Sequence, residues 1–212
     1  MEQNVERVIF ASSAAVYGSS KKETKKVGEE GPPSSPYAES KLLGEEFARQ
    51  MSSGDTTFVC LRFFNVYGPY QKIGGSYSAA IPSFIHSAIN DKEIQVYGDG
   101  GQTRDFIHVS DVCAAIISSL STPLSSFSVI NVGSGNGISI LEIANKISEL
   151  VESIVGSRAE VTFAPKRIGD VRDSTADISD LNLLFALIPP TLAAHITIAA
   201  GLVFLRKLKT FA

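Results

Sequence analysis

Cysteine and histidine are scarce in this sequence, and neither forms a cluster. The two cysteines, Cys60 and Cys113, both lie in apolar segments, which predicts buried, reduced thiols rather than a disulfide framework. The three histidines are scattered along the chain, and no group of Cys and His has the spacing of metal ligands. We therefore predict no metal site.

Positive charge is also not in excess. The formal net charge is -3, and no basic run is interleaved with aromatic residues, so nucleic acid is not expected as a partner. The lysines between residues 21 and 26 are diluted by glutamates, as is typical of a solvated loop. The first ten residues, MEQNVERVIF, have no signal-peptide pattern, and the predicted compartment is the cytoplasm.

A dinucleotide-binding fingerprint is missing as well. The Gly-rich segments at 98–101 and 133–137 do not have the spacing G-x-G-x-x-G. Both are predicted to be turns in which glycine adopts a positive φ.

The alternation of apolar and amphipathic segments predicts an α/β protein. An apolar strand at Arg7–Ala11, a helix from Pro36 to about Met51 and a second strand at Thr57–Arg62 form a crossover unit, and hence a parallel sheet. Asn65 to Pro69 is predicted to be a turn, and Ser110 is predicted to cap a helix that begins at Asp111. The remaining predicted elements are helices at 81–89, 111–120 and 140–155 and strands at 94–97, 105–109, 129–132 and 161–163.

Three residues around this crossover unit suggest proton-transfer chemistry. Tyr37 and Lys41 are four residues apart on the predicted helix, so they project from the same face. An ammonium group beside a phenol favours the phenolate, which lets a tyrosine move a proton near neutral pH. Ser13 follows the strand directly and lies where open α/β sheets place their ligands. Because most Tyr-x-x-x-Lys pairs are solvated helix positions, only this context points to catalysis.

Six segments, in order, resemble the motifs of one family. They are SSAAVYG, SPYAESK, LRFFNVYGP, VYGDGGQTRDFIHVSDV, INVGSG and RIGDVRDSTAD. They resemble the NAD-dependent epimerase/dehydratase family, extended short-chain dehydrogenase/reductases that act on nucleotide sugars, and most of all the UDP-glucose 4-epimerase type. The resemblance spans roughly Arg7 to Asp180. It implies the C-terminal part of a Rossmann-like parallel sheet with a smaller α/β substrate-binding domain, NAD as cofactor, and a nucleoside-diphosphate sugar, a UDP-hexose, as partner.

The resemblance also implies a role for each matching residue. Tyr37 would be the general base, Lys41 would bind the nicotinamide ribose, and Ser13 would hydrogen-bond the reacting sugar hydroxyl. The implied catalytic residues are Ser13, Tyr37 and Lys41, and the implied cofactor-binding residues are Ser12, Tyr37, Lys41 and Phe64. The implied substrate-binding residues are Ser13, Asn65, Tyr97, Arg104, Arg167 and Asp170.

Ala14 and Ala15 bear on the reaction type. In the dehydratases of this family, acidic residues follow the Ser or Thr and handle elimination of water. Alanine at both positions favours oxidation followed by re-reduction, as in an epimerase, with dehydratase, decarboxylase or reductase chemistry as alternatives.

The chain departs from the family pattern at its start, because it lacks the Gly-rich turn that binds the pyrophosphate of NAD. We therefore expect a truncated epimerase-type chain that alone binds NAD poorly and exposes a sheet edge, with a catalytically inactive truncated remnant as the alternative. The predicted partial Rossmann domain is 1–72 with 104–132, and the predicted substrate-binding domain is 73–103 with 133–180. A homodimer that pairs through the Tyr37 helix is implied by resemblance.

The segment 181–212 is an atypical apolar tail for this family. Its first part, 181–205, has no charged residue and is followed by Arg206, Lys207 and Lys209, as in a membrane span. Pro189, Pro190 and several polar residues interrupt it, which favours two short buried helices or an aberrant tail over a span.

Overall fold

The structure is a computed structural model, and it describes residues 5–52, 55–72, 79–167 and 169–186. Strands and helices are interspersed along this part of the chain, and from α1 onward two strands separate each helix from the next. The strands are β1 (Arg7–Ser13), β2 (Thr24–Lys25), β3 (Thr57–Phe63), β4 (Asn65–Tyr67), β5 (Ile94–Tyr97), β6 (Thr103–His108), β7 (Phe127–Val132), β8 (Gly137–Ser139), β9 (Val161–Ala164) and β10 (Thr175–Ala176). The helices are α1 (Pro36–Met51), α2 (Ala80–Ile89), α3 (Val109–Ser121), α4 (Ile140–Val155) and α5 (Ser179–Ala186), with a short 3₁₀ helix at Ala14–Tyr17.

A parallel sheet in the order β1-β3-β7 leads to Ser13. α1 lies close against β1, because a Cβ atom added to Gly44 would be 2.4 Å from the ring of Phe10. Apolar residues of this sheet form a core with α3 and α5, and the core residues are Val59, Leu61, Ile107, Val112, Ala115, Ile130, Val132, Leu181 and Leu184. The predicted fold class, an α/β protein with a Rossmann-like parallel sheet, is confirmed.

A second core lies between α2, α4 and the parallel pair β5–β9. Its buried residues are Phe84, Ala88, Ile94, Val96, Ile140, Ala144, Ile147, Val151 and Ala159. Between the two cores, β6 pairs in parallel with β4 and antiparallel with β8. β2 and β10, far apart in the chain, form a short parallel pair.

Helices α1 and α4 have the predicted bounds because their ends carry strong local signals. The Ser35 hydroxyl accepts a hydrogen bond from the Ala38 amide at 3.1 Å and caps α1, with Pro36 at its first position. Ser139 caps α4 in the same way. Gly156, with a φ of 79°, ends α4 in the left-handed conformation that glycine adopts without strain.

Two local predictions are wrong. Residues Asn65–Tyr67 form a strand rather than part of a turn, because they pair in parallel with Phe106–His108. α3 begins at Val109 rather than Asp111, since the imidazole Nδ1 of His108 accepts the Ser110 amide proton and caps the helix. Ser110 is therefore inside the first turn.

The prediction that both thiols are buried holds only for Cys60. Cys113 is exposed on α3, on the same helical face as the exposed side chains of Ile117 and Leu120. An apolar segment predicted burial, but only the opposite face of α3 contacts the sheet.

We expect one thiol of the folded protein, that of Cys113, to react rapidly with a disulfide reagent, and the other to react only after unfolding. Burial raises the pKa of Cys60 to about 12, so its reactive thiolate is scarce near neutral pH. The measurement is a thiol titration with and without denaturant. Cys113→Ser should remove the rapid phase, and rapid reaction of both thiols in the native protein would contradict the prediction.

The start of the predicted apolar tail is part of the fold, because Leu181 and Leu184 of α5 are buried in the first core. Within the part of the chain that the structure describes, no helix is both long and apolar enough to cross a membrane. The rest of the predicted tail, from residue 187 onward, lies outside the described residues.

Candidate functional site

Ser13 lies at the carboxyl end of β1 and begins the 3₁₀ helix that follows. Its hydroxyl oxygen accepts the Ala15 amide proton at 3.1 Å, so the hydroxyl is oriented by the backbone and can still donate its own proton. The carboxyl ends of parallel strands form the edge at which open α/β sheets bind ligands. The two alanines after Ser13 add neither an acid nor a base at this edge.

Tyr37 and Lys41 lie together on the first two turns of α1. The Lys41 ammonium nitrogen is 5.6 Å from the centre of the Tyr37 ring and 5.3 Å from that of Phe10. It also donates to the carbonyl oxygen of Ala11 at 2.8 Å, two residues before Ser13. Lys41 therefore connects the helix of Tyr37 to the strand of Ser13. Tyr37 is 48% exposed, so its phenol is accessible to a bound molecule.

Ser12, Phe64 and Asn65 surround the same edge but differ in exposure. The Ser12 side chain is buried, and its hydroxyl donates to the carboxylate of Glu45 on α1. The ring of Phe64 is buried against Tyr17, with ring centres 6.2 Å apart. Asn65, at the start of β4, is exposed. Of these predicted contacts, Asn65 presents the most accessible side chain.

The four remaining predicted substrate residues meet in two pairs. The guanidinium carbon of Arg167 is 3.9 Å from the centre of the Tyr97 ring. Arg104 forms an ion pair with Asp170, whose own amide donates to the carbonyl oxygen of Arg167 at 3.4 Å. Residues from β5, β6 and the segment before β10 thus converge on one basic and aromatic region. Such a region can hold an anionic nucleotide through Arg and its base through an aromatic ring.

A row of buried polar side chains crosses the main sheet from β1 to β7. It was not predicted from the sequence. Ser12, Arg62 and Asn131 are neighbours in register on β1, β3 and β7, and each is at most 3% exposed. The Arg62 guanidinium donates to Glu45 at 2.9 and 2.6 Å and also bonds Glu30. The available signal was Arg62 itself, a charged residue inside the apolar run TFVCLRFF, which needs partners when buried.

Tyr17 extends this row. Its ring centre is 5.0 Å from the guanidinium carbon of Arg62, and its hydroxyl donates to Oδ1 of Asn131 at 2.6 Å. Burial raises the pKa of Tyr17, so the phenol stays protonated and remains a donor. Burial alone would lower the pKa of Arg62, but its bonds to Glu45 and Glu30 outweigh burial and raise it.

Asp105 is a second buried carboxylate that the sequence did not reveal. It accepts the amide and hydroxyl protons of Ser134 at 2.6 and 2.7 Å, the Gly135 amide at 2.9 Å and the Ala176 amide at 3.0 Å. It therefore holds the glycine-rich turn and β10 against β6, next to Arg104. Gly135 in this turn has a positive φ of 75°, as predicted for a glycine turn.

A parallel sheet covered by helices, with a Tyr–Lys pair beside the carboxyl end of β1, defines a Rossmann-like α/β protein. The family model described as NAD dependent epimerase/dehydratase family matches residues 1–133. The chain belongs to this family, and the cofactor of the family is NAD, which several solved relatives contain.

Individual relatives cover most of the chain. YtcB of Bacillus subtilis, described as an uncharacterized UDP-glucose epimerase, is 33% identical over 193 residues, or 90% of this chain and 58% of that protein. A UDP-N-acetyl-alpha-D-glucosaminuronate decarboxylase of Bacillus cytotoxicus is 36% identical over 152 residues, 69% of this chain and 47% of that protein. The solved UDP-N-acetylglucosamine 4-epimerase from Methanobrevibacter ruminantium M1, in complex with UDP-N-acetylmuramic acid, has a TM-score of 0.78 at 37% identity, covering 85% of this chain and 57% of that one. The chain spans about half the length of these relatives.

Proposed function

We propose that the chain carries the proton-transfer centre of an NAD-dependent nucleotide-sugar epimerase of the UDP-glucose 4-epimerase type. The observation that carries the proposal is the position of Lys41, which contacts the ring of Tyr37 and also bonds the strand that ends at Ser13. A base, a cation that favours its ionised form and a hydroxyl donor are thereby connected at one sheet edge.

The residues at this edge fit the nicotinamide half of NAD. Tyr37 and Lys41 supply a phenol and an ammonium group for ribose hydroxyls, whereas Ser12 and Phe64, whose side chains are buried, would contribute backbone groups alone to the proposed cofactor contacts. When bound, NAD supplies a hydride acceptor. The sequence contains no G-x-G-x-x-G, so we assign no residue of this chain to the pyrophosphate.

The chemistry proposed for the side chains is a reversible proton transfer. The phenolate oxygen of Tyr37 takes the proton of a sugar hydroxyl, while the Ser13 hydroxyl donates a hydrogen bond to the sugar oxygen. The ammonium group of Lys41 stabilises the phenolate. In the return step, Tyr37 gives the proton back to the same oxygen. With alanine at positions 14 and 15, no neighbouring acid is available to eliminate water.

The proposed substrate is a UDP-hexose. Arg104 and Arg167 would bind the diphosphate, Tyr97 would pack against the base, and Asp170 would accept hydrogen bonds from ribose hydroxyls. Asn65 would also contact the sugar diphosphate. The convergence of these residues supports the assignment, because guanidinium groups bind phosphate oxygens in a bidentate manner.

The test is incubation of the full chain with NAD and UDP-glucose or UDP-N-acetylglucosamine, followed by chromatography of the sugar products. Because this chain is expected to bind NAD poorly, NAD is added in large excess, and we then expect slow conversion to the 4-epimer and binding of UDP measurable by calorimetry. Arg104→Met should weaken UDP binding, whereas the exposed control Arg158→Met should leave it unchanged. Absence of UDP binding by the wild-type chain would refute the proposal.

A second candidate is a non-catalytic nucleotide-sugar-binding chain. It is favoured by the absence of a G-x-G-x-x-G segment from this sequence. Binding of UDP-sugar without binding of NAD would support it. Another reaction of the family is decarboxylation, since one relative is a decarboxylase. Release of carbon dioxide from a UDP-uronate is the assay for that reaction.

We also propose that the two hydrophobic cores correspond to the two predicted domains. The core around β1, β3 and β7 would belong to the cofactor-binding part, and that around α2 and α4 to the substrate-binding part. Under this division the proton-transfer residues lie on the first part, and Tyr97, Arg167 and Asp170 lie on the second.

We propose further that two copies of the chain pair through α1. Leu43, Phe47 and Met51 form an outward-facing stripe on this helix and are 64%, 63% and 52% exposed. A stripe on one helix can pair with its own copy about a two-fold axis.

Leu43→Asp combined with Phe47→Asp is expected to convert a dimer into a monomer without unfolding it, because both side chains face away from the sheet. Sedimentation velocity measures the change. The control Ile117→Asp alters an apolar residue on α3 that is 47% exposed. A wild-type chain that is monomeric at micromolar concentration would contradict the pairing.

A further inference from the structure

We infer that Tyr17 and Asn131 are positioning residues that connect Ser13 to the segment carrying Asp170. Hydrogen bonds from the Tyr17 hydroxyl to Asn131, and from Asn131 to the carbonyl oxygens of Lys25 and Asp177, link the two regions, because Tyr17 ends the 3₁₀ helix that Ser13 caps. The kinetic consequence rests on the proposed function, whereas the coupling itself is a property of the fold.

The row has one side chain from each strand of the sheet. Ser12, Arg62 and Asn131 occupy one register line, and neighbours in register point to the same face of a parallel sheet. That face is the one covered by α1, because Glu45 of α1 bonds both Ser12 and Arg62. The row therefore fixes the distance between the helix of Tyr37 and the strand of Ser13.

Asn131 is the junction at the other end of the row. Its Oδ1 accepts the Tyr17 hydroxyl, and its amide nitrogen donates to the carbonyl oxygens of Lys25 at 2.8 Å and Asp177 at 3.1 Å. The two carbonyl oxygens can only accept, so they require the nitrogen on their side and leave the oxygen facing Tyr17. The orientation of the amide is thereby determined.

Tyr17 joins this junction to the proposed catalytic hydroxyl. It is the last residue of the 3₁₀ helix Ala14–Tyr17, and Ser13 is the residue that caps that helix. A single turn has little freedom, so a shift of Tyr17 changes the orientation of the Ser13 side chain.

The other side of the junction is the substrate segment. Lys25 and Ala176 are partners in the β2–β10 pair, and the Asp177 amide donates to the Lys25 carbonyl at 3.0 Å. β10 follows Asp170 by a few residues, and Asp105 fixes it to the strand of Arg104. Asn131 therefore holds in place both the segment proposed to bind the nucleotide and, through Tyr17, the Ser13 hydroxyl proposed to bind the sugar.

A hydrophobic core would stabilise the sheet at least as well as this network. Buried ionic and polar groups are costly to desolvate, and apolar replacements are often equally stable. What the network adds is a fixed geometry, and a misplacement of about 1 Å in a reacting group can cost roughly a hundredfold in rate.

The test is Tyr17→Phe in the full chain, which removes only the hydroxyl. We expect kcat for the UDP-sugar to fall about tenfold to a hundredfold while KM changes little, because binding groups remain but Ser13 is misoriented. Hydrogen–deuterium exchange should become faster at the Ala15 amide, which donates a hydrogen bond to the Ser13 hydroxyl oxygen. Asn131→Ala should give the same two changes, and the double variant should be no worse than either single one.

Ser148→Ala is the matched control, since it also removes one buried hydroxyl, which donates to the Ala159 carbonyl at 2.7 Å in the second core. It should leave both readouts unchanged. Wild-type kcat in Tyr17→Phe would overturn the inference. Absence of turnover by the wild-type chain would refute the proposed function but not the coupling. The coupling is tested separately, because an unchanged exchange rate of the Ala15 amide in both Tyr17→Phe and Asn131→Ala would overturn it.

Discussion

Under the proposed function, Tyr37→Phe is expected to abolish most turnover of UDP-sugar while leaving its binding intact. The substitution removes the only atom of the side chain that can take a proton and keeps the ring beside Lys41. General-base catalysis typically contributes about 10²–10⁴-fold, so kcat should fall by that factor. Steady-state kinetics measure kcat, and calorimetry with UDP-sugar measures binding.

Tyr70→Phe serves as the control, because it removes a phenolic hydroxyl from a residue that is 91% exposed. Its kcat should equal that of the wild type. Lys41→Met should lower kcat as well, because the phenolate loses its neighbouring cation. If Tyr37→Phe retains wild-type kcat, Tyr37 is not the base, whatever the behaviour of Lys41.

Arg62→Met is expected to cause the largest loss of stability of any single substitution considered. It leaves the buried carboxylate of Glu45 and the partly buried one of Glu30 without their cation. Breaking a buried ion pair by removing one partner typically costs about 3–5 kcal/mol. Urea unfolding measures the change, which should appear as a lower midpoint with a similar slope.

The matched control is Arg158→Met, because Arg158 pairs with two glutamates at 3.5 Å but is 55% exposed. Exposed pairs contribute little, so its unfolding free energy should change by less than about 1 kcal/mol. Adding Glu45→Met to Arg62→Met should restore part of the loss, since the unpaired charge is removed. Equal losses in Arg62→Met and Arg158→Met would contradict the importance of burial.

The ion pair between Arg62 and Glu30 makes the stability of the fold depend on pH in the acid range. Burial by itself raises the pKa of Glu30, but hydrogen bonds from Arg62 and from the Gly28 amide outweigh it and hold the pKa below its ordinary value. A carboxylate with a lowered pKa stabilises the fold above about pH 4.3 and loses that contribution as the pH falls. Arg62→Met should therefore flatten this acid dependence.

Local signals predicted the helices better than the short strands. α1 and α4 have caps and an apolar periodicity that lie within their own sequence, so their bounds were correct. β2 and β10 have two residues each and form only because distant segments meet. β4 was predicted to be a turn because Gly68 and Pro69 follow it directly in the sequence. Its partner strand β6 is distant in the chain, so no local pattern indicates the pairing.

The candidate site divides in the same way. The Tyr37–Lys41 contact follows from their spacing on one helix. The pairing of Arg104 with Asp170 joins residues 66 positions apart, so no local pattern predicts it. The role of Arg62 was missed because its partners Glu30 and Glu45 come from a loop and a helix, and only packing brings all three together.

The β2–β10 pair also constrains the order of folding. One amide proton of Asn131 goes to the Asp177 carbonyl, so the junction beside Tyr17 is incomplete until that residue is available. On the ribosome, Ser13, Tyr37 and Lys41 emerge early and must wait for a segment that is synthesised much later. Contacts of such long sequence separation form slowly. The proposed catalytic centre should therefore be among the last regions to acquire its final geometry, after the helices and the first parallel strands have formed.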